Sequence, residues 1–407
     1  MIKESLKENL IKYKQDRLLS YLSSENICKV HECRLENQLE NIDWSFLEPH
    51  KVYDSGEDIK PIDIMLCESV EKDREIYEQT GLGAIRDGKL ALVLLAGGQG
   101  TRLGYNHPKG MFNIGISNEL YIFECLINNT LKVVDKAGCF IPFYIMTSTS
   151  NNEETENFFR EHNYFGYDPD YITFFIQESN PVTDFDGNIL LSDKDELCMS
   201  PNGNGGWFSS MDKNGLLDRL LASPAEWINV FSVDNVLQGI ADPVFLGATI
   251  KSKKVCGAKV VAKAAPDEKV GSICTLSGKP HIIEYYELSE DMMNKKNPDG
   301  TYSYGYGVTL NYLFPIKKLK HTLKADMPLH IVKKAVQYMD YEGNYIIPSE
   351  ENAYKYETLA LDLIHAMDSC LAYEIKREKE FAPIKNKEGV DSIDSARELL
   401  KKNGIIL

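Results

Sequence analysis

Five short, uninterrupted apolar runs constrain this chain most. They cover residues 89–97 (KLALVLLAG), 141–148, 171–177, 227–234 and 256–262. Each is too short for a core helix and is apolar at successive positions rather than alternate ones, which is the pattern of a strand buried on both faces of a parallel sheet. Helical spacing falls between several of them, as at 119–136 and 153–162. Strands alternating with helices predict an α/β fold, Rossmann-like, with a mixed and mostly parallel sheet. Two insertions carry hairpin turn chemistry, at Asp186-Gly187 and Ser277-Gly278.

Ahead of this core, Ile2, Leu6, Leu10 and Ile11, then Leu18, Leu19 and Leu22, recur at helical spacing. They predict a helical N-terminal lobe over 1–85, with a Pro- and Asp-containing connector at 54–61 and a further helix around 71–79. The main α/β core is expected over 86–325, and a small C-terminal part over 326–407, built from a helix at 355–370, a strand at 371–377 and a helix at 392–402.

A chain of 407 residues has room for such a core and for satellite parts. Its 61 acidic against 45 basic residues give a net charge of −16, a field that repels nucleic acid and anionic membranes. A phosphate site must therefore be built locally. No apolar stretch approaches the ~20 residues of a membrane span, and the N-terminus has no signal-peptide core, so a cytoplasmic protein is expected. Nine cysteines, Cys28, Cys33, Cys67, Cys125, Cys139, Cys198, Cys256, Cys274 and Cys370, show no metal-ligand spacing and read as reduced thiols.

The segment 94–115, LLAGGQGTRLGYNHPKGMFNIG, follows the first apolar run. Gly97, Gly98, Gly100 and Gly104 allow a sharp turn and a close approach of backbone N–H groups to a polyphosphate. Arg102 offers a planar cationic fork and Lys109 a mobile point charge, both suited to charge on a transferring phosphoryl group. The spacing matches neither a P-loop, which needs Gly-Lys-Ser/Thr, nor a dinucleotide fingerprint, which needs one residue fewer. Asp234 ends its apolar run, so its carboxylate is expected at the C-terminal edge of the sheet, where α/β proteins place ligands. Such an oxygen suits Mg²⁺, which binds one or two carboxylates together with substrate phosphates.

LLAGGQGTRLGYNHPKGM resembles the signature of eukaryotic-type UDP-N-acetylglucosamine pyrophosphorylases and the wider UDP-sugar pyrophosphorylase family. Segments IPFYIMTS, FFIQ, PNGNGG, VDN, CGAKVV, IEYYE and FAPIKN are similar to family segments in the same order, over roughly residues 85–390. The resemblance implies a nucleotidyltransferase core and a uridylyltransferase that forms a UDP-sugar and pyrophosphate from UTP and a sugar 1-phosphate, most simply an N-acetylhexosamine 1-phosphate, with Mg²⁺ as cofactor. It implies Arg102, Lys109 and Lys385 as catalytic residues, and Asp234 as the metal ligand. Leu95, Ala96, Gly97, Gly98, Gln177, Gly203 and Asn204 are implied for the nucleotide, and Gly271, Glu284 and Asn311 for the sugar. The chain departs from the pattern at Val308, where the family has an amide side chain, and at GNGGWF after Pro201. Both bear on the sugar. A UDP-glucose, UDP-galactose or broad UDP-sugar enzyme is the alternative, followed by a silent nucleotide-sugar sensor.

Overall fold

The computed structural model describes residues 2–24, 27–48, 58–323 and 327–407. Contacts group the chain into two compact units, each assembled from three stretches of sequence: 1–53, 178–206 and 326–359 in the smaller, and 54–177, 207–325 and 360–407 in the larger. The consecutive division at 85 and 325 expected from the sequence differs from this grouping.

The smaller unit shows the reason. Helices Glu4–Lys12, Asp16–Leu22 and Lys29–Asn41 each bury only two or three residues. Their apolar faces are too small to make a core among themselves, so Leu6, Leu10, Leu18, Leu35 and Leu39 pack with Ile189, Leu191, Leu197, Met339 and Tyr356. A polar contact reinforces this: Gln15 donates to the Gly187 carbonyl at 2.9 Å and accepts from the Ile189 amide at 2.9 Å. The Asp186-Gly187 turn is present, closed by the Asp184 amide donating to Asn188 O at 2.9 Å.

In the larger unit, strands along one sheet run in the order Ile64–Met65, Cys370–Ile375, Cys256–Ala262, Tyr306–Pro315, Trp227–Ser232, Leu90–Leu95, Phe143–Thr147 and Ile172–Ile176. Neighbours are parallel except where Tyr306–Pro315 runs against both of its partners. This is the mixed, mostly parallel α/β sheet that the apolar runs imply. Residues 90–95 and 143–147 are buried throughout, as strands covered on both faces must be. Helix Ile122–Ala137 covers one face through Ile122, Phe123, Leu126, Ile127, Val133 and Val134. The second hairpin pairs Ser272–Leu276 with Lys279–Ile283, and its turn residues Ser277 and Gly278 both have positive φ.

Two expectations are corrected. Residues 355–370 are not one helix: Ala353–Glu357 is a strand paired with His330–Lys334, and only Asp362–His365 is helical. Leu359 and Leu363 lie four apart, as on a helix face, but Ala353 and Tyr356 bury their side chains from a sheet, so tertiary pairing overrides local spacing. The helix around 71–79 is two, Cys67–Lys72 and Arg74–Arg86. Part of the 54–61 connector, 54–57, lies outside the described residues; Ile59–Pro61 pairs with the second hairpin. All nine cysteines are free. Among the described residues, no helix is long and apolar enough to cross a membrane.

Candidate active site

Four adjacent parallel strands end together, and their extensions keep the ladder going. Val233 N donates to Leu95 O at 3.2 Å, Ala96 N to Met146 O at 2.9 Å, and Gln177 N to Thr147 O at 2.8 Å. The glycine loop, Gln177 and Asp234 thus emerge at one edge of the sheet.

The loop folds back on itself. Gly100 N donates to His107 O at 2.9 Å, and Lys109 N donates to Gly98 O at 3.2 Å, so Lys109 returns beside the start of the loop. Leu103, buried, anchors the turn Thr101–Leu103, while Arg102 next to it is exposed. A β-carbon on Gly97 would sit 2.7 Å from the Gln177 side-chain oxygen, whereas one on Gly98 would meet nothing within 4 Å. Gln177 therefore lies against the loop, and the Gly98 backbone faces open space that a ligand can enter. Gly110 is required for a different reason: its β-carbon would fall 2.2 Å from the ring of Phe123, which is fully buried. Gly110→Ala is expected to destabilise the chain by ~1–3 kcal/mol through overpacking, read as a lowered denaturant midpoint.

Lys109 and Asp234 are joined by an ion pair between Nζ and Oδ1. The Asp234 carboxylate, 37% exposed, faces solvent while its backbone is fixed: its N–H donates to Ser232 Oγ at 3.1 Å, and its carbonyl accepts from Ile384 N at 2.9 Å. The second of these bonds places Lys385, the next residue, beside the Asp234 loop. Lys385 Nζ is 3.2 Å from Asp391 Oδ2 and one third exposed. Four side chains implied for the reaction, those of Arg102, Lys109, Asp234 and Lys385, are therefore carried by three segments of one sheet edge and its C-terminal neighbour.

Gly271, Glu284 and Val308 also converge. Val308 N donates to Gly271 O at 2.9 Å, Ser272 pairs with both Ile283 and Gly307, and a β-carbon on Gly271 would lie 3.7 Å from Val308 Cγ2. Glu284 is half-buried at the end of its strand and closes a turn with Glu287. Asn311 is placed elsewhere. It is fully buried, accepts from Asn229 Nδ2 at 2.8 Å and donates to Gly239 O at 3.2 Å, so its amide is committed to the loop behind Asp234. Between Val308 and Asn311, Leu310 takes φ 52°, and the register with Cys256–Ala262 shifts. This irregularity is a bulge between the two positions.

Gly203 and Asn204 belong to the smaller unit. Gly203 has φ +87°, and a β-carbon there would meet Thr358 O at 2.2 Å. Its backbone conformation and the close approach of Thr358 both demand glycine.

Sequence reading overlooks the polar residues that shape the 232–243 loop. Asn235 donates to Glu380 O at 2.7 Å and accepts from Ala382 N at 2.9 Å; Gln238 donates to Ser232 O at 2.7 Å; Asn229 accepts from Ala241 N at 3.0 Å. Lys259, also buried, donates to the Gly239 carbonyl of this loop at 3.1 Å. Its one signal is a charge inside the apolar run CGAKVVA.

Residues 30–404 match the family model for UTP–glucose-1-phosphate uridylyltransferase. The human UDP-N-acetylhexosamine pyrophosphorylase-like protein 1 is 38% identical over 80% of this chain and 66% of its own length. The first curated relatives are thus spanned for slightly under two thirds of their length. The UDP-N-acetylglucosamine pyrophosphorylase of Saccharomyces cerevisiae is 36% identical over 94% of this chain and 82% of its own. The crystal structure of the Trypanosoma brucei uridine diphosphate N-acetylglucosamine pyrophosphorylase in complex with inhibitor superposes with a TM-score of 0.80 over 97% of this chain and 83% of that one, at 24% identity, and so shares the fold. With the glycine loop, Asp234 and the Lys385 segment assembled as described, the match over nearly the whole chain leads to one conclusion: this protein belongs to the UTP–glucose-1-phosphate uridylyltransferase family.

Proposed function

We propose that the chain is a Mg²⁺-dependent uridylyltransferase that joins an N-acetylhexosamine 1-phosphate to the uridylyl group of UTP and releases pyrophosphate. The observation that carries this reading is the placement of Lys109 against Asp234, at the edge where the glycine loop opens. A sugar-phosphate oxygen attacks the α-phosphorus of UTP in line, and the bond to pyrophosphate breaks on the opposite side. The attacking oxygen is already anionic, so no strong base is needed, and catalysis rests on position and charge. Loop amides from Gly97 and Gly98, with Arg102 and Lys109, neutralise the triphosphate; Lys385 draws in the second anion.

Asp234 offers a solvent-facing carboxylate, and among the described residues no cluster of three metal-ligating side chains occurs. A lone carboxylate with substrate oxygens fits Mg²⁺ better than zinc or another ion that requires an all-protein cage. When bound, Mg²⁺ supplies charge neutralisation on the phosphates. The free thiols support a reducing, cytoplasmic setting.

The sugar assignment is supported by the names of the human and Saccharomyces cerevisiae relatives. Val308 beside Gly271 favours a second reading, glucose or galactose, because an apolar side chain stands where an amide is expected. The test is pyrophosphate release from UTP with the 1-phosphates of N-acetylglucosamine, N-acetylgalactosamine, glucose and galactose in parallel. Release driven by an N-acetylhexosamine is the expected result. Release driven by glucose or galactose alone would reassign the sugar, and none with any sugar despite UTP binding would leave a silent nucleotide-sugar binder.

A further inference from the structure

Lys259 is 1% exposed, in the middle of strand Cys256–Ala262, and plays no part in the chemistry above. Its ammonium lies 2.8 Å from Asp242 Oδ2, 2.6 Å from Glu380 Oε2 and 3.1 Å from the Gly239 carbonyl. Burial pulls its pKa down, but the two carboxylates outweigh burial and hold it above the usual lysine value. A charge so deeply buried is seldom a source of net stability, since desolvation cancels much of the attraction. Its value must then lie in what the three partners hold together.

They hold the site's two halves. Asp242 caps helix Pro243–Lys251 by accepting from Val244 N and Phe245 N, at the end of the loop that begins with Asp234. Glu380 lies at the end of helix Arg377–Glu380, five residues before Lys385. Its carboxylate also accepts from Gly239 N at 3.1 Å, and its carbonyl accepts from Asn235 Nδ2 at 2.7 Å. A β-carbon on Gly239 would fall 2.6 Å from Glu380 Oε2 and 2.8 Å from Lys259 Nζ, so the loop is shaped to this cluster. Ala241, two residues on, takes φ 52°, a left-handed backbone that an alanine adopts only when its surroundings impose it.

We propose that Lys259, with Asp242 and Glu380, acts as a positioning residue, holding the segment that bears Lys385 in register against the loop that bears Asp234. The inference rests on the uridylyltransferase reading for its kinetic consequence, and on geometry alone for its structural one.

Lys259→Met in the full chain leaves two partly buried carboxylates facing each other. Lys259→Met/Glu380→Gln removes one of them and keeps Asp242 as the helix cap, so it serves if the single variant does not fold. Normalised to folded protein, kcat for pyrophosphate release is expected to fall ~100-fold, the cost of misplacing reacting groups by about an ångström, with KM for UTP within about threefold of the parent. A structural role alone would lower the folded fraction and leave kcat per folded molecule unchanged. Amide hydrogen exchange is read on the same samples and is expected to quicken ~10-fold or more over 234–239 and 382–386, but not over 90–95. Unchanged kcat per folded molecule in an active enzyme, or unchanged exchange over both segments, overturns the proposal. A parent chain that releases no pyrophosphate overturns the uridylyltransferase reading instead, and exchange then decides the positioning role.

Discussion

Asp234→Asn is expected to lower kcat for pyrophosphate release by ~1,000-fold, the upper range for loss of one preorganised electrostatic contact. The substitution keeps the shape of the side chain and removes its charge. The loop should stay in place, because Asp234 is held through its backbone, by Ser232 Oγ on one side and Ile384 N on the other. A fall in activity with an unaltered thermal midpoint would therefore be chemical. Mn²⁺ binding in the presence of UTP, followed by electron paramagnetic resonance, supplies a readout apart from turnover: the variant should bind the ion at least ~10-fold more weakly, since Mg²⁺-type sites have few protein ligands to lose. Parent-like Mn²⁺ affinity would remove Asp234 from the metal site.

Lys109→Ala is the second large effect, with kcat expected to drop ~100-fold or more. Here too the backbone is independent of the side chain, since Lys109 N bonds to Gly98 O, and Lys109 O accepts from Phe112 N at 3.0 Å. What is lost is a cation with a side chain only 12% exposed, set against Asp234. Under the proposed function, Lys109 is expected to pass from the Asp234 carboxylate to the triphosphate when UTP binds. Lys109→Arg should restore little, because a planar fork cannot replace a point charge in that space. Activity in Lys109→Ala close to that of the parent would exclude the residue from the reaction.

Much of the site was legible because its chemistry is local. Gly98 and Lys109 lie eleven residues apart in one loop, and a glycine run after a buried strand has few other physical explanations. Asp234 was readable from its place at the end of an apolar run. The surroundings of Asn311 were not: Leu310 beside it takes a positive φ, and only the folded chain shows the amide bonded to Asn229. The segment 355–370 misled because Leu359 and Leu363, four apart, fit a helix of which only Asp362–His365 forms, while residues 355–357 pair with a strand more than twenty positions away.

The amino-acid sequence by itself determined the α/β class, the parallel strands and the glycine loop that follows the first of them, because burial on both faces and glycine's conformational freedom leave their mark within a few residues. The tertiary structure alone decided which distant segments form each unit and how Lys259, Asp242 and Glu380 meet. Helices that bury two or three side chains each must take their core from wherever the chain returns, and a buried charge must find its counter-charges there. Neither requirement names its partner until the chain has folded.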